Sequence, residues 1–532
     1  MLRTCVSPTG KFLVGLHRPS YSVRNLRDQD FLLRLGALPD GSPLANQANF
    51  PPGDVHELEG RRIYEIPNAF PCHGATYIDS VWAADRAADP GLIKIEPPPE
   101  CSLAQSLGLS ETERQAAMIS RLPLPLKYAL AASSTDPDEL MLLAKSCCRM
   151  EFDADGEPIG LQYLRPGKAD IDDFELFETI ANNPHLPDRW KEVMVLRPGV
   201  QGGSEIVGRF AENGSHVFEY LRRNSYIPWG HYAANMAHDA VRYRTSDLSL
   251  TDMRGLRHLY YQRMVVALTE RFGLSLDLPK RSLTEDELES LRKKVLAAAE
   301  NSGQHPATLW GWNFGYDFSS SGYRLHASHQ MIHQQYATTP ETVEMTEGGV
   351  MPSYSCGDQV AEVITQYKQD GGGDFFRDYL RCIRENVRTD NDQQKERSLI
   401  VHEDANVLLF VPKAQTSQWE LQLMVIADAN GQPVGNVLEA DAAVRRSIDQ
   451  GILLAQHIFA KLGARMVTSL EYSKRIGICN GQRLLYAFLP KLPWSMGAFS
   501  EAQHRYISSH FPEDFAAACR RQMQAIKLGE EP

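Results

Sequence analysis

The feature that most constrains this chain is an order of predicted secondary structure that occurs twice. In the later copy, residues 407–411 form an apolar run that stops at Pro412, which is typical of a buried strand, and residues 419–426 alternate loosely as a partner strand would. A helical pattern follows over 444–462, and a further strand pattern covers 483–489. Two strands, a helix and a strand indicate an α+β unit.

The earlier copy begins with an extended pattern over 219–243 and ends in a strand of unusual composition. Apolar residues recur at helical spacing over 251–272, and Thr284 with Glu287 forms a capping-box pattern that begins a second helix. A segment dense in His and Gln over 324–339 then closes this copy as a strand. We therefore predict an α+β fold built of two repeats, each an antiparallel sheet with a helix, behind an N-terminal extension.

The predicted domain boundaries follow from these patterns. Residues 1–204 form an N-terminal region whose role the sequence does not assign, and 205–345 form the first repeat, with the candidate active-site strand. Residues 346–399 are a predicted linker, and 400–532 form the second repeat. We expect each repeat to form a sheet with a packed helix and the two repeats to superpose.

Charge limits the partners that the chain can bind. The chain has 532 residues, of which 67 are acidic and 55 basic, so its formal net charge is −12. Nucleic-acid binding requires clustered Lys and Arg, so we expect no nucleic-acid partner. A local basic pocket for one small phosphate ligand stays compatible with this balance.

Cysteine spacing and hydropathy indicate the compartment. The nine cysteines form no CxxC pair and are odd in number, which argues against a disulfide framework or a Cys-rich zinc site. The apolar stretch 12–16 is too short for the core of a signal peptide, and no run approaches the ~20 apolar residues of a membrane helix. We therefore expect a cytoplasmic protein with no membrane partner.

The His-rich strand carries a motif. Residues 327–335 read Ala-Ser-His-Gln-Met-Ile-His-Gln-Gln. They resemble the active-site strand of the galactose-1-phosphate uridylyltransferase family of the histidine-triad superfamily, whose motif often reads A-S-x-x-H-x-H-x-Q. Here His333 and Gln335 match the motif, and Met331 replaces its first His. Three further stretches, within 228–253, 397–420 and 483–516, also resemble the family and occur in the family's order, so that the resemblance covers about 205–525.

The sequence departs from the family at its metal ligands. Members often bind zinc through a CxxC pair and the first His of the motif, whereas this chain has no CxxC pair and has Met331. Leu485 and Ala487 stand where a second metal-binding His-x-His strand is expected, although His238 and Glu420 keep two ligand positions. We therefore predict no bound metal and no cofactor.

The resemblance implies a reaction. It implies a nucleotidyltransferase, phosphorylase or hydrolase that acts on a nucleoside diphosphate-linked substrate through a nucleotidyl-histidine at His333. A neutral imidazole is a good nucleophile at cytoplasmic pH. Strand alternation places His329, Met331, His333 and Gln335 on one face. Gln335 and Ser328 complete the predicted catalytic set, because their polar groups can hold phosphoryl oxygens as charge develops.

The predicted substrate contacts surround this strand. A Gly/Ser loop permits close approach of a phosphate group, and an Arg in it supplies positive charge. Two other histidines lie near the nucleophile in sequence. The family also often has an Asn before its Gly, and this chain has an Asn at the matching position. These residues are Asn313, Ser321, Gly322, Arg324, His326 and His329. The predicted ligand is a nucleotide or nucleotide-sugar, and a homodimer is compatible with the resemblance.

Two alternative functions stay open. If 326–333 were helical, His326, His329 and His333 would share one face and could ligate a metal ion. The substitutions at Met331, Leu485 and Ala487 also fit a non-catalytic nucleotide-binding protein on a scaffold that has lost its chemistry.

For three residues we expect a structural role and not a functional one. Trp310 and Trp312 are expected in the core. Glu420 is expected to be the structural partner of an Arg.

Overall fold

A computed structural model describes most of the chain. The described residues are 3–24, 36–44, 53–58, 60–97, 99–165, 168–183, 185–194, 244–275, 282–315, 333–493 and 497–526. No helix within these ranges is both long and apolar enough to cross a membrane.

The N-terminal residues contribute to a four-stranded sheet. The strands before residue 80 are β1 (Gly15–His17), β2 (Tyr21–Val23), β3 (Gly36–Ala37), β4 (Pro43–Leu44), β5 (Val55–Glu57), β6 (Ile63–Pro67) and β7 (Ala75–Asp79). Strand β6 lies between β1 and β7 and runs antiparallel to both. The last strand of the chain, β21 (Arg505–Ser508), pairs parallel to β7, so the two ends of the chain meet in one sheet.

Helix α1 (Ser80–Ala88) follows, and its Ala83 and Ala87 are buried in the same core as Ile66 of β6 and Ile78 of β7. A mainly helical unit comes next. Its elements are α2 (Leu103–Ser106), α3 (Thr112–Arg121), α4 (Leu124–Ser133), α5 (Pro137–Cys147), β8 (Met150–Phe152), β9 (Pro158–Leu161), β10 (Tyr163–Arg165), β11 (Lys168–Ala169), α6 (Phe174–Asn182) and α7 (Asp188–Val193). Leu140, Phe177 and Trp190 are among the residues of its own core cluster. The region 1–204 therefore contains a separate core that the sequence analysis did not assign.

The central part of the chain forms one large sheet. Its elements are α8 (Leu250–Arg271), α9 (Glu285–Glu300), β12 (Ala307–Gly315), β13 (His333–Thr339), β14 (Thr342–Glu344), β15 (Val350–Pro352), α10 (Cys356–Gln369), α11 (Phe375–Arg384), β16 (Ile400–Glu403), β17 (Val407–Phe410), β18 (Leu421–Val425), α12 (Ala442–Lys461), β19 (Met466–Tyr472), β20 (Leu485–Pro490), α13 (Ala498–Glu501) and α14 (Pro512–Gln524). The strand order is β13-β12-β19-β20-β18-β17-β16, with antiparallel neighbours throughout.

Helices α8, α9, α12 and α14 cover one face of this sheet, which we call the helix face. Trp310, Trp312 and Phe314 of β12 are buried in the same core as these helices. Helix α9 begins at the predicted capping box, in which Thr284 Oγ1 accepts from the Glu287 N–H and the Glu287 carboxylate accepts from the Thr284 N–H. The prediction that Trp310 and Trp312 are core residues is confirmed.

The opposite face, which we call the second face, is covered over β16 to β18 by a different layer. Leu408, Phe410 and Met424 pack there with α10, α11 and N-terminal residues. All four residues of β17 are buried because each face of the strand has a covering layer. Residues 346–399, which the sequence analysis assigned to a linker, thus contain two helices that help to build a core.

The α+β prediction is confirmed, and the sheet relates the two copies in a way that periodicity did not indicate. Helices α8 and α9 followed by β12 and β13 correspond to α12 followed by β19 and β20, with α9 as an additional helix in the first copy. The two copies do not keep separate sheets among the described strands, because β12 pairs with β19 over Gly311 to Gly315. This pairing satisfies two strand edges that would otherwise be exposed.

Candidate functional site

The backbone register places the candidate strand against β12. His333 lies opposite Asn313, and Gln335 lies opposite Gly311. Residues directly opposite in an antiparallel pair lie on the same face of the sheet. Positions 333, 335, 313 and 311 therefore share the second face. For His333 the structure describes the backbone.

The neighbouring side chains of β13 confirm this alternation. On the helix face, Gln334 accepts a hydrogen bond from the Trp310 indole N–H at 3.0 Å, and the rings of Tyr336 and Tyr260 lie 5.7 Å apart. Gln335, which lies between these two residues, is exposed. Gln334 and Gln335 therefore face opposite sides of the strand, as the alternation that places His333 and Gln335 on one face requires.

The second face beside β13 has a small, polar floor. Asn313 is half-buried, and its Oδ1 accepts from Thr468 Oγ1 of β19 at 2.7 Å. Gly311 has no side chain opposite Gln335, and among the described residues a Cβ there would meet no heavy atom closer than the Ser469 carbonyl oxygen at 3.8 Å. The described part of the floor is therefore low beside Gln335.

The end of β12 requires a glycine. Gly315 has a φ of +91°, and a Cβ at this position would lie 2.1 Å from the Arg465 carbonyl oxygen. Only glycine adopts this backbone conformation readily and leaves space for the carbonyl group of Arg465. This glycine precedes the segment 316–332, which lies outside the described residues.

Most of the predicted site lies in that segment. Its predicted residues are Ser321, Gly322, Arg324, His326, Ser328 and His329, and all six lie outside the described residues. Of the predicted set, the structure brings together Asn313, Gln335 and the backbone of His333. Their assigned roles stay predictions.

A fully buried polar cluster supports β12 from the helix face. Arg257 of α8 donates through Nη2 to the Tyr486 hydroxyl at 2.9 Å, and its Nε lies 3.3 Å from Oδ1 of Asp449 on α12. The hydroxyls of Tyr260 and Tyr486 donate to Glu471 of β19 at 2.8 and 2.7 Å. These contacts connect two helices to two strands of the sheet.

The electrostatics of the cluster follow from burial. Burial raises the pKa of Asp449 to about 7, although the charge of Arg257 opposes this shift. Burial likewise raises the pKa of Glu471. The Arg257 guanidinium carbon also lies 4.6 Å from the centroid of the Trp310 ring, so the cluster contacts the residue that anchors Gln334.

This cluster was not predicted from the sequence, although the sequence contains a signal for it. Arg257 falls on the apolar face of α8, between the buried residues Leu256 and Tyr260. A charged residue at a core position predicts a buried partner, because an unpaired charge is costly in the interior. The identity of that partner depends on strands and helices that are distant in sequence.

The expectation for Glu420 is corrected. Glu420 is buried, and its carboxylate accepts from the Thr416 N–H at 2.6 Å, from Thr416 Oγ1 at 2.9 Å and from Gln422 Nε2 at 2.7 Å. Local hydroxyl, amide and backbone donors therefore take the place of the expected Arg. Burial raises the pKa of Glu420 above its usual range.

The region around Glu420 has few metal-binding groups. Gln422 lies opposite Ala487, and Met424 lies opposite Leu485, in the pairing of β18 with β20. Across the described part of the chain, no group of three or more His, Cys, Asp or Glu side chains is arranged to hold a metal ion. For the helical alternative, the backbone at 333–339 is a strand, and His326 and His329 lie outside the described residues.

Comparisons with known proteins give similarity at low identity. No protein-family model matches the chain, and no curated protein matches it. A uridylyltransferase mutant is 14% identical, with 46% of this chain and 73% of that chain covered and a TM-score of 0.31. A GalT-like protein from Arabidopsis thaliana is 13% identical, with 53% and 73% covered and a TM-score of 0.33. An ADP-glucose phosphorylase from Arabidopsis thaliana with bound ADP-glucose is 14% identical, with 46% and 66% covered and a TM-score of 0.30. The chain is thus similar, over about half its length, to solved uridylyltransferase and phosphorylase structures.

Proposed function

We propose that the chain is a nucleotidyltransferase or phosphorylase that acts on nucleoside diphosphate-linked substrates at the second face of β12 and β13, with His333 as the nucleophile. The observation that carries the proposal is the register of these strands. It gives position 333, Gln335 and Asn313 one common face, as a nucleophile and its phosphate contacts require. The motif A-S-x-x-x-x-H-x-Q over 327–335 supplies the residue types.

The proposed reaction has two displacements at phosphorus. A ring nitrogen of His333 attacks the α-phosphorus, a nitrogen–phosphorus bond forms, and the bond from phosphorus to the bridging oxygen breaks. The leaving sugar phosphate takes the bonding electron pair. An acceptor phosphate then attacks the same phosphorus, the nitrogen–phosphorus bond breaks, and His333 is regenerated.

Two described side chains have suitable donors for this chemistry. Gln335 is exposed beside the Gly311 floor, so its amide N–H can donate to a phosphoryl oxygen. Asn313 uses Oδ1 to accept from Thr468, which orients its Nδ2–H₂ group as a donor. Oriented donors of this kind stabilise the charge that develops on the phosphoryl oxygens in the transition state.

Residues 319–324 and Ser328 complete the proposal. The Gly/Ser loop allows the backbone to approach the phosphates, and Arg324 would balance their charge. His326 and His329 are assigned to substrate contact and not to bond making.

The test is detection of the covalent intermediate. The protein is mixed with a panel of nucleotide-sugars and dinucleoside polyphosphates, and intact-mass spectrometry follows. We expect a nucleotide-sized adduct in the wild type and in the matched His402→Ala variant, and no adduct in His333→Ala. An active His333→Ala enzyme would refute the proposed nucleophile. Saturable nucleotide binding without adduct or turnover across the panel would favour the non-catalytic alternative.

A further inference from the structure

We propose that a cationic cavity on the helix face, distinct from the proposed active site, binds a phosphorylated small molecule. This cavity has a volume of about 640 Å³ and lies where the C-terminal ends of α12 and α14 meet the turn at 245–247. His185 of the helical N-terminal unit also lines it, so the cavity lies between two parts of the fold. Ligand sites are commonly clefts of ~300–1,000 Å³ at such junctions.

The charge of the lining selects the ligand. Arg244, Lys461 and Arg465 line the cavity, and its lining contains no Asp or Glu among the described residues. Within the same described ranges, none of these three cations has an ion-pair partner. This concentration of positive charge occurs in a chain of net charge −12. Three cations without an ion-pair partner among the described residues favour a ligand that carries two or more negative charges.

Two uncharged features fit the rest of such a ligand. The hydroxyl-bearing Ser246 and the half-buried His457 line the cavity beside the cations. His457 Nε2 lies 2.8 Å from the Leu248 carbonyl oxygen, so Nε2 is the donor in that contact. The lining also contains Ala464 and Ile526, which offer an apolar surface for a sugar or base ring. The cavity is therefore suited to a nucleotide or a sugar phosphate.

Helix capping does not account for these cations. The C-terminal carbonyl groups of α12 already accept backbone hydrogen bonds, from Gly463 N to the Ala460 oxygen at 3.0 Å and from Ala464 N to the Phe459 oxygen at 2.9 Å. Gly463 has a φ of +94°, as such a glycine-capped helix end requires. Lys461 alone could serve the helix dipole, but Arg244 and Arg465 lie outside the helix.

The cavity is separate from the second face of β12 and β13. Helix α12 packs on the helix face, and Thr245 Oγ1 donates to the Arg465 carbonyl oxygen at 3.1 Å at the end of β19. The described lining of the cavity includes no residue of β12 or β13, and the cavity adjoins the sheet at the Gly315 end of β12, whereas Gln335 lies opposite Gly311. This inference does not rest on the proposed function.

The test is to titrate the protein with pyrophosphate and, separately, with ADP and to measure binding by isothermal titration calorimetry. We expect saturable binding to the wild type and to the matched control K294E/K368E, which makes the same charge change on α9 and α10. In K461E/R465E the dissociation constant should rise at least tenfold, which corresponds to about 1.4 kcal/mol. The milder K461M/R465M pair should show a smaller rise, and circular dichroism verifies that each variant is folded.

An Asn313→Ala variant separates this cavity from the proposed active site. Pyrophosphate binding that persists in Asn313→Ala but weakens in K461E/R465E supports the cavity, whether or not the enzyme turns over any substrate. The inference is overturned if the wild type does not bind either probe at millimolar concentration. Equal binding by K461E/R465E and by the control pair would overturn it too.

Discussion

Trp310 donates its indole N–H to Oε1 of Gln334 at 3.0 Å, and this contact anchors the candidate strand to the core. Trp312 lies two residues further along β12 on the same face, and its buried indole N–H has no partner among the described residues. The two tryptophans therefore form a natural pair, because within the described ranges only the Trp310 N–H is hydrogen-bonded.

Replacing each tryptophan by Phe should separate the hydrogen bond from packing. Trp310→Phe removes the donor to the Gln334 oxygen, whereas Trp312→Phe removes an N–H that has no partner in the described part of the chain. We expect Trp310→Phe to lower the free energy of unfolding by about 1 kcal/mol more than Trp312→Phe does. Urea denaturation measures both values, and an equal loss in the two variants would contradict the prediction.

Replacing Gln335 should affect turnover, whereas replacing its neighbour Gln334 should affect stability. Gln335 is exposed on the second face, so Gln335→Ala should change the free energy of unfolding by less than about 0.5 kcal/mol. If the proposed function is correct, turnover should fall about 10²-fold, because one oriented donor is lost, and it should fall further in His333→Ala. Gln334→Ala should instead destabilise the fold, by about 1–3 kcal/mol, because the Trp310 N–H loses its acceptor. Paired unfolding and rate measurements test this contrast.

Replacing the buried Arg257 should lower the free energy of unfolding far more than replacing Arg446, an exposed arginine on α12. Arg257→Met leaves Asp449 and Glu471 buried without their cation, so we expect a loss of about 3–5 kcal/mol. The control is Arg446→Met, which breaks an exposed ion pair with Glu285 and should cost about 0–1 kcal/mol. Thermal and urea unfolding compare the two; similar losses would argue against a cooperative buried cluster.

The stability of the fold should fall on acidification partly through His510. This side chain is fully buried, and burial, with a smaller effect from the charge of Arg86, lowers its pKa from 6.5 to about 3. Between these two values the unfolded chain binds the proton and the folded chain does not. The contribution of His510 to the free energy of unfolding is therefore fully present above the unfolded-state pKa. It is lost as pH falls below that value, by up to about 1.4 kcal/mol per pH unit.

A His510→Phe variant tests this contribution. The free energy of unfolding is measured from pH 7 to pH 4 in the wild type, in His510→Phe and in the partly exposed control His402→Phe. We expect a flatter pH dependence in His510→Phe alone. Identical slopes in all three proteins would show that other groups control the acid response.

Local pattern determined much of the fold. Apolar spacing predicted the helices over 251–272 and 444–462 to within about two residues of α8 and α12, because one buried face imposes a 3.6-residue period. The hydroxyl of Thr284 predicted a helix start because its partner is only three residues away. Alternation also predicted that Gln334 and Gln335 face opposite sides, since this follows from strand geometry alone.

The tertiary structure decided which distant segments meet. The pairing of β12 with β19 joins the two copies in one sheet, and the cluster of Arg257, Asp449 and Glu471 draws on three separate elements. The cationic cavity likewise joins Arg244 to Lys461 across more than two hundred residues of chain. Periodicity reports which face of an element is buried, whereas the choice of partner depends on register and packing among elements that the local sequence does not encode.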